Sequence, residues 1–136
     1  MELGAEVWDR VMEFASRLAS EDQREKFWAR YNELREYCEH QSVGGYDHPF
    51  LWETLADFTP DDDVAIPLYL RALDGASAPE LVDYRVSIRF ALAERHKNKG
   101  DGLLARELAI AADDEAKQID DLELRRRISS FLLARE

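Results

Sequence analysis

Cysteine, histidine and clustered carboxylates are the side chains here with the widest chemical reach, and they are sparse. Cys38-x-His40 and Asp47-His48 supply soft and hard metal ligands, but they meet only if the Gln41 to Tyr46 loop, with Gly44 and Gly45 at its tip, folds back on itself. His40, His48 and His96 lack the paired spacing of a zinc site, so no bound metal is expected. Cys38 continues an apolar stripe with Phe27, Tyr31 and Leu34, which predicts a core thiol and not a nucleophile. Asp61-Asp62-Asp63 places carboxylates side by side, without the spread ligands and central glycine of a calcium loop. The reading is a helix start with Asp63 as the cap. Asp113-Asp114-Glu115 reads as a solvated helix end and Asp120-Asp121 as an N-cap. Glycine-rich phosphate loops, G-x-S-x-G elbows and H-E-x-x-H pairs are missing. The expectation is a protein that is not an enzyme and carries no cofactor.

Helices must position whatever work the chain does, because apolar residues recur at helical spacing almost throughout. Val7, Val11, Phe14 and Leu18 make the first stripe, and Ser20 to Gln23 reads as a capping box opening the second helix. A loop from Gln41 to Tyr46 follows, and Asp47-His48-Pro49 starts a short helix ending near Phe58. The next helix spans about 64–74, with Pro67 tolerated near its start. Ser77 to Glu80 reads as a second capping box, opening the longest helix, which runs to about Asn98. That helix carries two apolar rows, Leu81-Tyr84-Ile88-Leu92 and Val82-Val86-Phe90-Ala93, so it should be covered on two sides. His96 is expected to pack on, or bond across, the turn that follows. Helices from Gly102 to about Lys117 and from Leu122 to Ala134 complete an all-α chain, with Leu124, Ile128 and Phe131 as the last stripe.

Ala93, Gly100, Ala105, Ala109 and Ala112 are small where antiparallel helices must approach closely, and Asn98-Lys99-Gly100-Asp101 joins a helix stop to an N-cap. Ala65, Tyr69 and Ala72 precede Ala105, Ala109 and Ala112 by a constant 40 residues. In these positions, with Leu92-Ala93 and an upstream copy from Phe50 through Trp52 and Leu55, the chain resembles tetratricopeptide repeats. Arg89 and His96 stand where that family has a bulky apolar residue and an aromatic. The resemblance implies stacked helical hairpins, a tetratricopeptide-like α-solenoid with a C-terminal capping helix. The divisions are an N-terminal hairpin over 1–40, two repeat-like hairpins over 47–117 and a cap over 120–136. It also implies a concave groove lined by Ser87, Phe90, Glu94, Lys97 and Asn98, which a chaperone or adaptor would use to hold a peptide.

Charge narrows the partners. With 29 acidic and 18 basic residues among 136, the net charge is −11, which argues against nucleic acid and anionic membranes. Residues 1–58 carry −7 of it. With one cysteine and no basic, apolar leader at the start, cytoplasmic residence is expected. An acidic face beside exposed rings suits capture of a basic protein, such as a toxin or effector. The expected contact residues are Glu33, Glu36 and Glu39, together with Tyr46, Asp47, His48 and Phe50 at the junction after the first hairpin. A small, acidic immunity or antidote protein is the most concrete form of that reading. Arg125-Arg126-Arg127 is the counter-signal and reads as a solvated helix surface.

Overall fold

A computed structural model describes residues 2–134, in which helices follow one another without a strand. They are α1 (Ala5–Ser20), α2 (Arg24–Val43), α3 (Pro49–Asp57), α4 (Asp62–Asp74), α5 (Val82–Asn98), α6 (Gly102–Ala116) and α7 (Leu122–Leu133), with a 3-10 turn at Pro79–Leu81 before α5. Neighbouring helices in the chain pack on one another: α1 on α2, α3 on α4, α5 on α6, and α7 on α6. Contacts of α2 with α3 and of α4 with α5 join these pairs. The expected last boundary at 136 includes two residues that lie outside the described ones.

Side chains cap the starts of α3, α4, α6 and α7. At α3 the His48 imidazole accepts from the Phe50 amide through Nδ1 at 3.1 Å, and Pro49 occupies the first turn, where its missing N–H costs nothing. Asp101 accepts from the Leu104 amide at 3.3 Å and Asp121 from that of Leu124 at 3.0 Å. Between α5 and α6, Gly100 takes φ +83° while Asp101 N–H reaches back to the His96 carbonyl at 2.9 Å. The left-handed turn that the glycine permits reverses the chain and seats Ala105, Ala109 and Ala112 in the core.

Several expected caps are replaced. Ser20 is the last residue of α1, and its hydroxyl donates to the Ser16 carbonyl at 3.0 Å, so it closes one helix and does not open the next. Gln23 precedes α2 without a side-chain cap. Asp61, not Asp63, caps α4 by accepting from the Asp63 amide at 2.9 Å, which places Pro67 inside the helix. The ring deprives the exposed Asp63 of a backbone partner, where water can serve instead. Ser77 is also not a cap. Arg85 holds that loop, donating to the carbonyls of Ala76 at 2.8 Å and Ala78 at 2.6 Å.

Helix α5 is the axis of the packing. Its Ile88 and Leu92, with Leu81 of the preceding 3-10 turn, join a large cluster with Val11, Phe14, Leu34, Leu51, Trp52, Leu55 and Tyr69. Val86 and Phe90 turn the other way, toward Ala112, Ala116, Ile119, Leu124 and Ile128. The two rows legible in the sequence are thus the two sides of the core. Glu115 is not a solvated helix end: it meets Arg85 at 2.9 Å and also Arg89, clamping α6 to α5. This pairing gives the half-buried Arg89 a partner across the α5–α6 interface. The guanidinium of Arg85 holds the Glu115 carboxyl below the ordinary glutamate range.

Candidate functional site

The aromatic junction after the first hairpin is used largely within the fold. Tyr46 Oη accepts from the Gly4 amide at 3.1 Å and donates to the Glu2 carbonyl at 3.0 Å, tying down the start of the chain. Phe50 is half-buried, stacked on Trp8 and tilted against Tyr84. His48 is 1 % exposed, and burial lowers its imidazole pKa. Asp47 stays exposed but accepts from the Trp52 indole N–H and lies 3.7 Å from Arg71. Cys38 is fully buried, donates weakly to the Leu51 carbonyl at 3.4 Å, and has its thiol pKa pushed up to about 12 by burial. Among the described residues, no group of three or more histidine, cysteine or acidic side chains is placed to hold a metal ion. Nor is any helix there long and apolar enough to cross a membrane.

Glu33, Glu36 and Glu39 are exposed on α2, as a row of that spacing should be. Glu39 borders a cleft of about 480 Å³ between α2, α3 and α4, lined by Trp28, Tyr31, Trp52, Leu55, Val64 and Leu68 and rimmed by Arg35, Asp61 and Arg71. Its lining is mostly carbon, and Trp28 and Val64 keep 39 % and 50 % of their surface exposed. The floor is rigid. Thr59 Oγ1 donates to the Leu55 carbonyl at 2.8 Å, which leaves Tyr31 as donor in their 2.6 Å bond, linking α2 to the end of α3. At the far rim, the Arg71 guanidinium lies 3.6 Å above the Trp52 ring.

A second hollow, about 370 Å³ and mostly polar, lies between α3, α4, α5 and α7. Ser87, Phe90 and Glu94 line it, with Asp57, Tyr69, Arg95 and Arg127 opposite and beside them. Lys97 instead borders a separate hollow beside Phe131, and Asn98 is exposed at the helix end. Behind Ser87 sits Glu53, 7 % exposed, whose Oε2 accepts from the Ser87 hydroxyl at 2.5 Å. Burial pushes its carboxyl from an ordinary pKa of 4.5 up to about 8, so it is largely protonated at neutrality. One turn on, Asp57 is an exposed residue whose carboxyl accepts from the Tyr69 hydroxyl at 2.5 Å and is raised by partial desolvation of that group. Arg95 is taken up by Asp62 at 3.1 Å and by the Ala56 carbonyl at 3.2 Å. Arg127 lies over Phe90 and reaches Glu94 at 3.5 Å while staying exposed, as Arg125 and Arg126 do on the same solvated helix surface.

Sequence reasoning did not find Glu53, Asp57 and Tyr69. The signal available was the pair of acids four residues apart on a short, otherwise apolar helix, which places both carboxyls on one face. No protein-family model, curated protein or solved structure matches the chain.

Proposed function

We propose that this chain is a non-catalytic protein-binding module that covers and inhibits a more basic partner, with an immunity or antidote protein against a toxin or effector as its most concrete form. The observation that supports it is the apolar cleft between α2, α3 and α4, whose rim carries Glu39 and Asp61 beside Arg35 and Arg71, with Glu33 and Glu36 also exposed on the helix of Glu39. Partly exposed aromatic surface next to like charges provides affinity and steering in one place. The cleft takes over the anchoring role that the sequence suggested for Tyr46 and Phe50.

Rate measurements with the partner test this reading. Raising salt should slow association by a decade or more while dissociation changes less, and reversing Glu33, Glu36 and Glu39 to Lys should do the same at low salt. Val64→Lys should speed dissociation by removing apolar contact and also slow association, because it sets a like charge against a basic partner. An acidic partner, or rates indifferent to salt and to both variants, would overturn it.

A second reading is a tetratricopeptide-like adaptor holding a peptide in a concave groove. It is favoured by Ser87, Phe90 and Glu94 lining one hollow together, and by packing of consecutive helices that is compatible with a repeat. Loss of partner binding on Phe90 or Glu94 substitution, with Val64→Lys silent, would select it.

A further inference from the structure

We infer that the outer face of α6 and α7 is an interface between two copies of this chain, related by a two-fold axis that runs along these helices and lays α6 of one copy on α7 of the other. On α6, Leu103, Arg106, Ile110 and Asp113 recur at spacings of three and four, a row beside the buried Ala105, Ala109 and Ala112. On α7, Leu122, Arg125 and Leu133 share the side turned away from the buried Leu124 and Ile128. The two rows adjoin, since Asp113 lines one shallow hollow with Leu122 and Arg125, and Arg106 donates to the Leu132 carbonyl at 3.2 Å. Leu103, Leu122 and Leu133 leave 84 %, 67 % and 81 % of their surface exposed, and Ile110 leaves 44 %. Large aliphatic side chains gathered on one face, unlike ones scattered singly, mark a surface that is covered in use.

The occupant is a second copy because the face is complementary to itself. The bond from Arg106 to Leu132 sets the register of the antiparallel pair, which brings Asp113 level with Arg125 and Leu103 toward Leu133 at the other end. Rotation about an axis along the helices then sets Leu103 against the other copy's Leu133, keeps Ile110 near the centre, and opposes Asp113 to the other copy's Arg125 twice over. Among the described residues Asp113 and Arg125 enter no ion pair although they line the same hollow, whereas the neighbouring Asp114 takes up Lys117 at 3.9 Å. An axis across the helices would instead oppose Asp113 to Arg106, whose guanidinium the Leu132 carbonyl already engages. The helices are 15 and 12 residues long, so the face measures about 22 Å by roughly 20 Å at about 1.5 Å per residue and about 10 Å between axes. That is at the small end of specific interfaces, and a dissociation constant in the micromolar range is expected.

Sedimentation of the full chain over a range of concentrations tests this, in about 0.15 M salt to screen the mutual repulsion of two chains of net charge −11. The weight-average mass should climb from monomer toward dimer between about 1 and about 500 μM. Asp113→Lys alone and Arg125→Asp alone should each weaken association at least about tenfold, because each opposes like charges twice across the axis. An equimolar mixture of the two variants should associate as the parent does, since both opposed pairs in the mixed dimer are again of opposite sign. That recovery also shows that both variants are folded. Leu133→Glu, at an exposed position, should abolish association while leaving the thermal midpoint of the monomer unchanged. A monomer at every concentration, a mixture no tighter than either variant by itself, or association that survives Leu133→Glu would overturn the proposal. Val64→Lys lies on another face and should leave the dimer intact, so failure here is separable from failure of the cleft as a docking surface.

Discussion

The indole of Trp8 lies nearly parallel to the ring of Phe50, centroids 4.8 Å apart and planes 16° from each other, and this stack fastens the start of α1 to the start of α3. Tyr46 reinforces the same junction through its bonds to Gly4 and Glu2. Phe50→Ala is therefore expected to lower unfolding free energy by about 2–3 kcal/mol, less than a fully buried ring would. Tyr46→Phe should lower it by roughly 0.5–1.5 kcal/mol. Urea denaturation monitored by far-UV circular dichroism measures both, and unchanged midpoints would show that the junction is not a fastening.

Stability should fall as pH rises through neutrality. The folded chain keeps a proton on Glu53 between its ordinary pKa of 4.5 and the folded value of about 8, whereas the unfolded chain releases it. Asp57 is shifted in the same direction. The loss across that window is on the order of a few kcal/mol, and it levels off above the folded pKa. Glu53→Gln should flatten the profile of thermal midpoint against pH there; an unaltered slope would contradict the assignment.

Glu115 behaves oppositely. Its carboxyl is depressed by Arg85, so its contribution is complete above its ordinary pKa of 4.5 and is lost as pH falls through the lower folded value. Glu115→Ala removes a partner from both Arg85 and Arg89 and is expected to destabilise by roughly 1–3 kcal/mol at neutral pH. Arg85 keeps its bonds to the Ala76 and Ala78 carbonyls in that variant, so the loop before α5 should stay protected in amide exchange.

Ala105→Trp should destabilise by about 1–3 kcal/mol or more, because the residue is 2 % exposed where α6 meets its neighbours and a ring there must displace packed side chains. A melting temperature equal to the parent's would mean that the α5–α6 approach is looser than described.

Helix number, order and most boundaries were legible in the sequence, since the rows Val11-Phe14-Leu18 and Tyr31-Leu34-Cys38 and the Gly100-Asp101 turn record local geometry. Caps were less legible. Ser20 and Ser77 have the right residue type, but the register of helix ends decides which hydroxyl meets a free amide, and that register depends on tertiary contacts such as Arg85 with the Ala76 carbonyl. The sites were the least legible. Spacing places Glu53 beside Asp57, but it does not tell that Ser87 and Tyr69, far along the chain, close over them. Likewise Tyr46 and Phe50 look like a displayed pair until Gly4 and Trp8 arrive to cover them.

The central claim is tested most directly by placing a photo-crosslinking benzophenone side chain at Val64, in the cleft between α2, α3 and α4, and irradiating the full chain with its native host proteins. One discrete adduct is predicted, with a protein of basic isoelectric point, weakened by high salt and by reversal of Glu33, Glu36 and Glu39. An acidic adduct partner, or an equal yield from a benzophenone at exposed Leu103 on α6, would contradict it.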